Sequence, residues 1–148
     1  MDAPNGLSHT PIISVNDYSK IDGKYTNETD AEALSIGYAT FDNKDISAKV
    51  WRYDKNNSKW SRQSEELPLH RVLDLSILII GSFIKDAESD FPVTHLKESF
   101  NIGADTDAIQ QYYRENKKKL TPRIEELERV IDLFKKNEHK ITTKYLNK

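Results

Sequence analysis

No cysteine occurs in the 148 residues, which excludes disulfides, thiolate metal sites and cysteine nucleophiles and fits a reducing, cytoplasmic setting. Glycine and proline number five each. They are too scattered to form a glycine-rich phosphate loop, or a linker that would cut the chain in two. Neither sign of charge dominates: 22 Lys and Arg stand against 24 Asp and Glu, for a formal net charge of -2. A broad nucleic-acid surface is therefore not expected. The longest apolar stretch, Val72 to Ile84, contains Asp74 and is too short to span a bilayer. Met1 to Gly6 shows neither a basic start nor an apolar run, so no signal peptide is expected. The four histidines, His9, His70, His95 and His139, have no paired ligand spacing and no acidic calcium loop accompanies them. Neither a metal nor a cofactor is expected.

What is present reads as one α+β domain over residues 1–148: a flexible arm (1–10), an α+β core (11–84) and C-terminal helices (94–140). Pro11 to Val15 is a short β-branched run suited to an edge strand. Asn16 to Asp30 is a long polar loop carrying Tyr18 and Tyr25. Ala31 to Phe41 fits both a helical face and strand alternation. Gly37 and the β-branched content favour a helical turn at Asp30–Ala33 and a strand over Leu34–Phe41. Ile46–Tyr53 and Lys59–Gln63 follow as further strands of a small antiparallel meander, separated by polar turns.

Ser64-Glu65-Glu66-Leu67-Pro68 predicts a helix start, with a serine cap, acids in the first turn and proline near N1. The helix should run to about Ile84. It is apolar on every side over Leu75–Ile80, which predicts a central buried helix. A short helix is expected near Thr94. Another should cover Asp107 to about Leu120, with a restart or kink at Thr121-Pro122 that makes a C-terminal helical pair. Ile124, Leu127, Ile131 and Phe134 then form a two-heptad apolar stripe. No internal repeat is visible.

The residues with most chemical potential lie between Lys49 and Asp74, a span holding both tryptophans, three arginines and His70. If Trp51 pairs with Trp60, then Lys49, Trp51, Tyr53, Trp60 and Arg62 share a face. If the register shifts by one, Arg52 and Trp60 share the other. Either way an arginine lies near an indole, which suits stacking on a flat ring and bidentate contact with phosphate or carboxylate. The tryptophans serve equally well as ordinary packing between helix and sheet. Arg62-Gln63-Ser64 precedes a helix N-terminus, although Glu65 and Glu66 already complement that dipole. His70, Arg71 and Asp74 share one helical face and read as a ligand site or as a structural ion pair. Lys117-Lys118-Lys119 reads as a solvated patch. No nucleophile elbow accompanies Ser61 or Ser64.

The core Ile46-Ser47-Ala48-Lys49-Val50-Trp51-Arg52, followed by Lys59 to Leu75, resembles an uncharacterised family of small bacterial and phage proteins. Tyr18 to Tyr25 and Thr29-Asp30-Ala31 extend the likeness over the first 80 residues. The family brings no activity to carry over. Three functional expectations follow. The first is a non-enzymatic binding protein for a small anionic, nucleotide-like ligand, using Trp51, Arg52, Trp60, Arg62, Gln63, His70 and Arg71. By analogy, sequestration of a nucleotide signal in phage counter-defence fits that profile. The second is a protein-interaction or homo-oligomerisation module acting through the C-terminal helices. The third is a hydrolase using His70 with Asp74 or Glu66.

Overall fold

A computed structural model of the chain describes residues 1–84, 92–96 and 107–143. Its contacts divide the chain into two units, Met1–Asn101 and Ile102–Lys148.

The first unit is built on an antiparallel sheet, as α+β patterning predicts. Strands β1 (Thr10–Val15), β2 (Ala31–Tyr38) and β3 (Ile46–Asp54) lie side by side. The far edge of β3 is shared by two short strands: β4 (Lys59–Trp60) on its C-terminal end and β5 (Glu66–Pro68) on its N-terminal end. β1 opens at the edge near Pro11, where a missing N–H costs no ladder bond. A bulge between Pro11 and Ile13 interrupts its pairing with β2, and another between Ala31 and Ala33 interrupts the β2–β3 ladder. Between β3 and β4 the Asp54 carboxylate accepts the Asn56 and Asn57 N–H groups (3.0 and 3.1 Å), and Ser58 turns left-handed at φ 50°.

Several boundaries differ from the sequence expectation. Asp30–Ala33 is not helical: the strand already begins at Ala31, because the Asp30 carbonyl accepts the Tyr53 N–H (2.8 Å) and draws the segment into the ladder. The strand of Lys59–Gln63 stops at Trp60. The largest correction concerns the central helix. Glu66–Pro68 is extended and paired with Ser47–Lys49, and α1 runs only from Leu69 to Ile84. Ser64 does not cap it; its hydroxyl accepts the Arg52 N–H and donates to the Ser61 carbonyl, both at 3.0 Å. Glu66 reaches a buried polar pocket only from an extended backbone, and that tertiary contact overrides the local helix-start pattern. Nor is α1 buried all round. Gly81 is its one buried residue, while Leu73 is 64% exposed and Ile79 50%.

The sheet's two faces contrast. One buries Ala33, Ser35, Ser47 and Trp51. The other carries Ile13, Val15, Leu34, Ile36 and Tyr38, of which Ile13, Val15, Ile36 and Tyr38 are exposed. Between this apolar face and Val72 of α1 lies an open cavity of about 420 Å³. The first ten residues are tied down rather than loose: Ala3 N–H donates to Asn16 Oδ1 (3.0 Å) and His9 is wholly buried. The Asn16–Asp30 loop contains two single 3-10 turns, Tyr18–Lys20 and Gly23–Tyr25. Near Thr94 only a turn is described, with its hydroxyl accepting the Leu96 N–H (3.2 Å); the rest of that expected helix lies outside the described residues.

The second unit corrects the expected helical pair. A single helix, α2, runs unbroken from Asp107 to Thr143 through Pro122. Proline removes the donor to the Lys118 carbonyl, at a cost of about 3 kcal/mol in a helix interior. The turn is held nonetheless: Tyr113 Oη lies 3.0 Å from Thr121 Oγ1, and the Arg123 guanidinium donates to the Lys119 carbonyl (3.1 Å).

Gly37 sits where β1 crosses β2. A Cβ there would run into the Thr10 carbonyl and approach Pro11 Cα to 2.8 Å. Gly37→Val is therefore expected to cost about 1–3 kcal/mol, or roughly 3–10 °C in Tm followed by circular dichroism. An unchanged Tm would show that β1 does not dock there.

Candidate functional site

Alternation along β3 sends Ser47, Lys49, Trp51 and Tyr53 to one side of the sheet, opposite Gly37, Ser35 and Ala33 of β2. The hairpin adopts neither expected register. Tyr53 pairs with Trp60, so the two indoles are diagonal neighbours on one face. Trp51 and Trp60 meet edge to face at 5.8 Å, as do Tyr53 and Trp60 at 5.4 Å and His9 and Trp51 at 5.6 Å. Trp51 is 1% exposed and is the one large apolar side chain fully buried among the described residues. The Lys49 ammonium lies 4.2 Å from its ring. Burial pushes that ammonium below its ordinary value, with nearby Glu66 opposing the change.

Beneath the indole is a polar chain of bonds. Trp51 Nε1 donates to Ser35 Oγ (2.8 Å), and Ser35 Oγ lies 3.0 Å from His9 Nε2. His9 Nδ1 lies 3.0 Å from both Ser47 Oγ and Glu66 Oε1. Ser47 Oγ donates to Glu66 Oε1 (2.6 Å), which also accepts the Thr40 N–H (2.8 Å). One assignment satisfies every group: Ser35 donates to Nε2, and Nδ1–H points at the carboxylate. Burial would raise the Glu66 pKa, but the bonds from Ser47, Thr40 and His9 outweigh it and hold the carboxyl at about 2. Ser35, His9 and Glu66 thus stand in the order of nucleophile, base and orienting acid. The hydroxyl is sealed, however: Ser35 is 5% exposed, His9 is 0% exposed and the Trp51 indole occupies the serine oxygen. A triad needs an open approach to its nucleophile, so the array is a structural clasp.

Arg52, on the opposite side of β3, is a hub. Its Nε contacts both Glu65 oxygens (3.0 and 3.1 Å), its Nη2 donates to Glu65 Oε1 (2.9 Å), and its Nη1 bonds Asp30. Hydrogen bonding with Glu65 and Asp30 raises the guanidinium pKa, and the same bond lowers that of Glu65. Arg52 also lines an open cavity of about 680 Å³ with Tyr18, Tyr25, Asp22 and Glu28. Its charge is matched by two carboxylates, so the cavity presents no net positive potential to an anion.

The remaining expected site residues stand apart from both clusters. Arg62 and Gln63 are exposed in the turn after β4, where Gln63 N–H donates to Ser61 Oγ (3.1 Å). His70 and Arg71 are exposed on the first turn of α1. Asp74 engages neither; its carboxylate holds His95 Nε2 at 2.9 Å. Of the seven residues, the structure brings together Trp51 and Trp60 alone. Sequence reasoning passed over His9, Ser35 and Ser47. Their one visible signal is the period-2 spacing Ser47, Lys49, Trp51, which places serine and indole on a common face; a single histidine in a polar arm carries none.

The family described as "Family of unknown function (DUF6530)" matches residues 1–136. The chain belongs to this family. The match takes in the whole sheet, α1 and most of α2, well beyond the first 80 residues on which the resemblance rested. No curated protein and no solved structure matches the chain.

Two outcomes test the clasp. Ser35→Ala strands the Trp51 N–H and His9 Nε2 in the interior, and should cost about 2–4 kcal/mol in urea denaturation; a loss within error would mean the bonds are not formed. Because the Glu66 pKa is depressed on folding, its stabilisation is complete above the unfolded value near 4.5. It is lost as pH falls from there towards 2. The loss amounts to about 1–3 kcal/mol. Glu66→Gln should flatten that part of the acid limb; an unaltered acid limb would contradict the assignment.

Proposed function

We propose that the protein is an interaction module whose contact surface is the apolar seam of α2. A helix of 37 residues is about 55 Å long and must bury its stripe to persist in water. No residue of α2 is buried. Leu127 is 42% exposed, Ile131 45% and Phe134 53%, and this exposure along a heptad stripe is the observation that carries the reading. Surface leucines scattered singly would mean nothing; a stripe repeating every three and four residues is the pattern that fits another helix.

The small-anion reading draws less support. Its arginines do not converge, Arg52 is neutralised by Asp30 and Glu65, and Trp51 offers no free face for stacking. The hydrolase reading loses its pairings, since Asp74 holds His95 and Glu66 holds His9.

The absence of native cysteine makes a direct test simple. Leu127→Cys should react with a thiol reagent at close to the rate of a free thiol wherever light scattering finds a 17.1 kDa monomer, and should be protected only in a larger particle. Strong protection within the 17.1 kDa monomer would place the seam inside the chain and overturn the reading.

A further inference from the structure

Continuity through Pro122 lengthens the stripe. Tyr113, Leu120, Leu127, Phe134 and Ile141 recur at intervals of seven on a single helix, and Gln110, Lys117, Ile124, Ile131 and Glu138 form the second row of the same seam. In heptad terms the first row occupies d and the second a. The apolar centre is flanked by one cation and one anion: Lys117 lies one heptad, about two turns, before Ile124, and Glu138 as far after Ile131.

These two charges decide which partner fits and which way it runs. In a parallel, in-register pair, equal positions face each other. Lys117 would meet a second Lys117 and Glu138 a second Glu138, inside a seam that excludes water, where unpaired like charges are costly. Reversing one helix removes both conflicts. In an antiparallel pair, a positions face d positions. With the two-fold axis between Glu125 and Glu126, Ile124 meets the partner's Leu127 and Ile131 meets the partner's Leu120. Lys117 then lies over the partner's Phe134, where its ammonium finds an aromatic face. Glu138 lies beside the partner's Tyr113 instead of a second Glu138. Opposed helix dipoles add to the preference.

Resting on the reading that the seam is intermolecular, we infer that its occupant is a second copy of this chain, with the two α2 helices antiparallel about an axis between Glu125 and Glu126. The contact is isologous: the same surface serves both partners, and the association closes at two.

Spin labels on single cysteines at Glu125→Cys and His139→Cys test the inference in the full chain. Both positions lie outside the seam and two heptads apart, so they share one lateral geometry. At 1.5 Å per residue, two labels at 125 lie about 2 Å apart along the pair's axis and two at 139 about 40 Å apart. The expected result is a mass of two chains, a short distance at 125 and a much longer one at 139. Equal short distances at both positions would indicate a parallel pair and overturn the inference, leaving the intermolecular seam intact. A mass of three chains or more would do the same. A concentration-independent monomer without dipolar coupling would overturn both.

Discussion

One half-buried carboxylate organises the first unit. Glu66 gathers bonds from Ser47, His9 and the Thr40 N–H, and each of those partners comes from a different part of the chain. His9 anchors the N-terminal arm, Ser47 belongs to β3, and Thr40 follows β2. Reaching them requires Glu66–Pro68 to lie extended along β3, and so α1 cannot begin before Leu69. The position of the helix, the closure of the arm and the short fifth strand follow from a single carboxylate that supplies the partner the buried His9 and Ser47 need.

The clasp also explains why the crowded aromatic span does not make an open site. Trp51 closes over Ser35 and His9, its indole N–H is spent on the serine, and Trp60 and Tyr53 extend the edge-to-face packing outwards. Arginine beside indole suggested a place for a flat anion. Parity separates them instead: Trp51 faces the clasp, whereas Arg52 points to the other side and is held by Asp30 and Glu65. The sheet's buried layer mixes the polar Ser35 and Ser47 with Ala33 and Trp51, while its open face is apolar, a departure from the usual alternation of a half-solvated antiparallel sheet.

In the second unit, Pro122 is a local cost carried by a long helix. Had the chain broken there, Tyr113 and Leu120 would belong to a different axis from Leu127 and Phe134, and no extended seam would exist. Continuity turns a two-heptad stripe into a surface some five heptads long, with its two charges placed symmetrically about an apolar centre. The family match to residue 136 includes most of that surface, so α2 is part of the family's own sequence.

The sequence by itself determined the local features. Polar turns at Asp42–Asp45 and Asp54–Ser58, the period-2 run from Ile46, the proline-marked edge strand and the α2 stripe were all legible, because each depends on residues adjacent in the chain or one turn apart. Tertiary structure decided what distant residues share. Ser64 to Pro68 has the composition of a helix start, yet Glu66–Pro68 became a strand, since bonds to Ser47 and Thr40 outweigh a cap worth about 1 kcal/mol. His9 carried no local signal yet is wholly enclosed, because its partners are 26, 38 and 57 residues away. The hairpin register was set by the length of one turn, and it fixed which side of the sheet each tryptophan and arginine would occupy. Alternation along a strand is written in the chain; the identity of the neighbour across it is not.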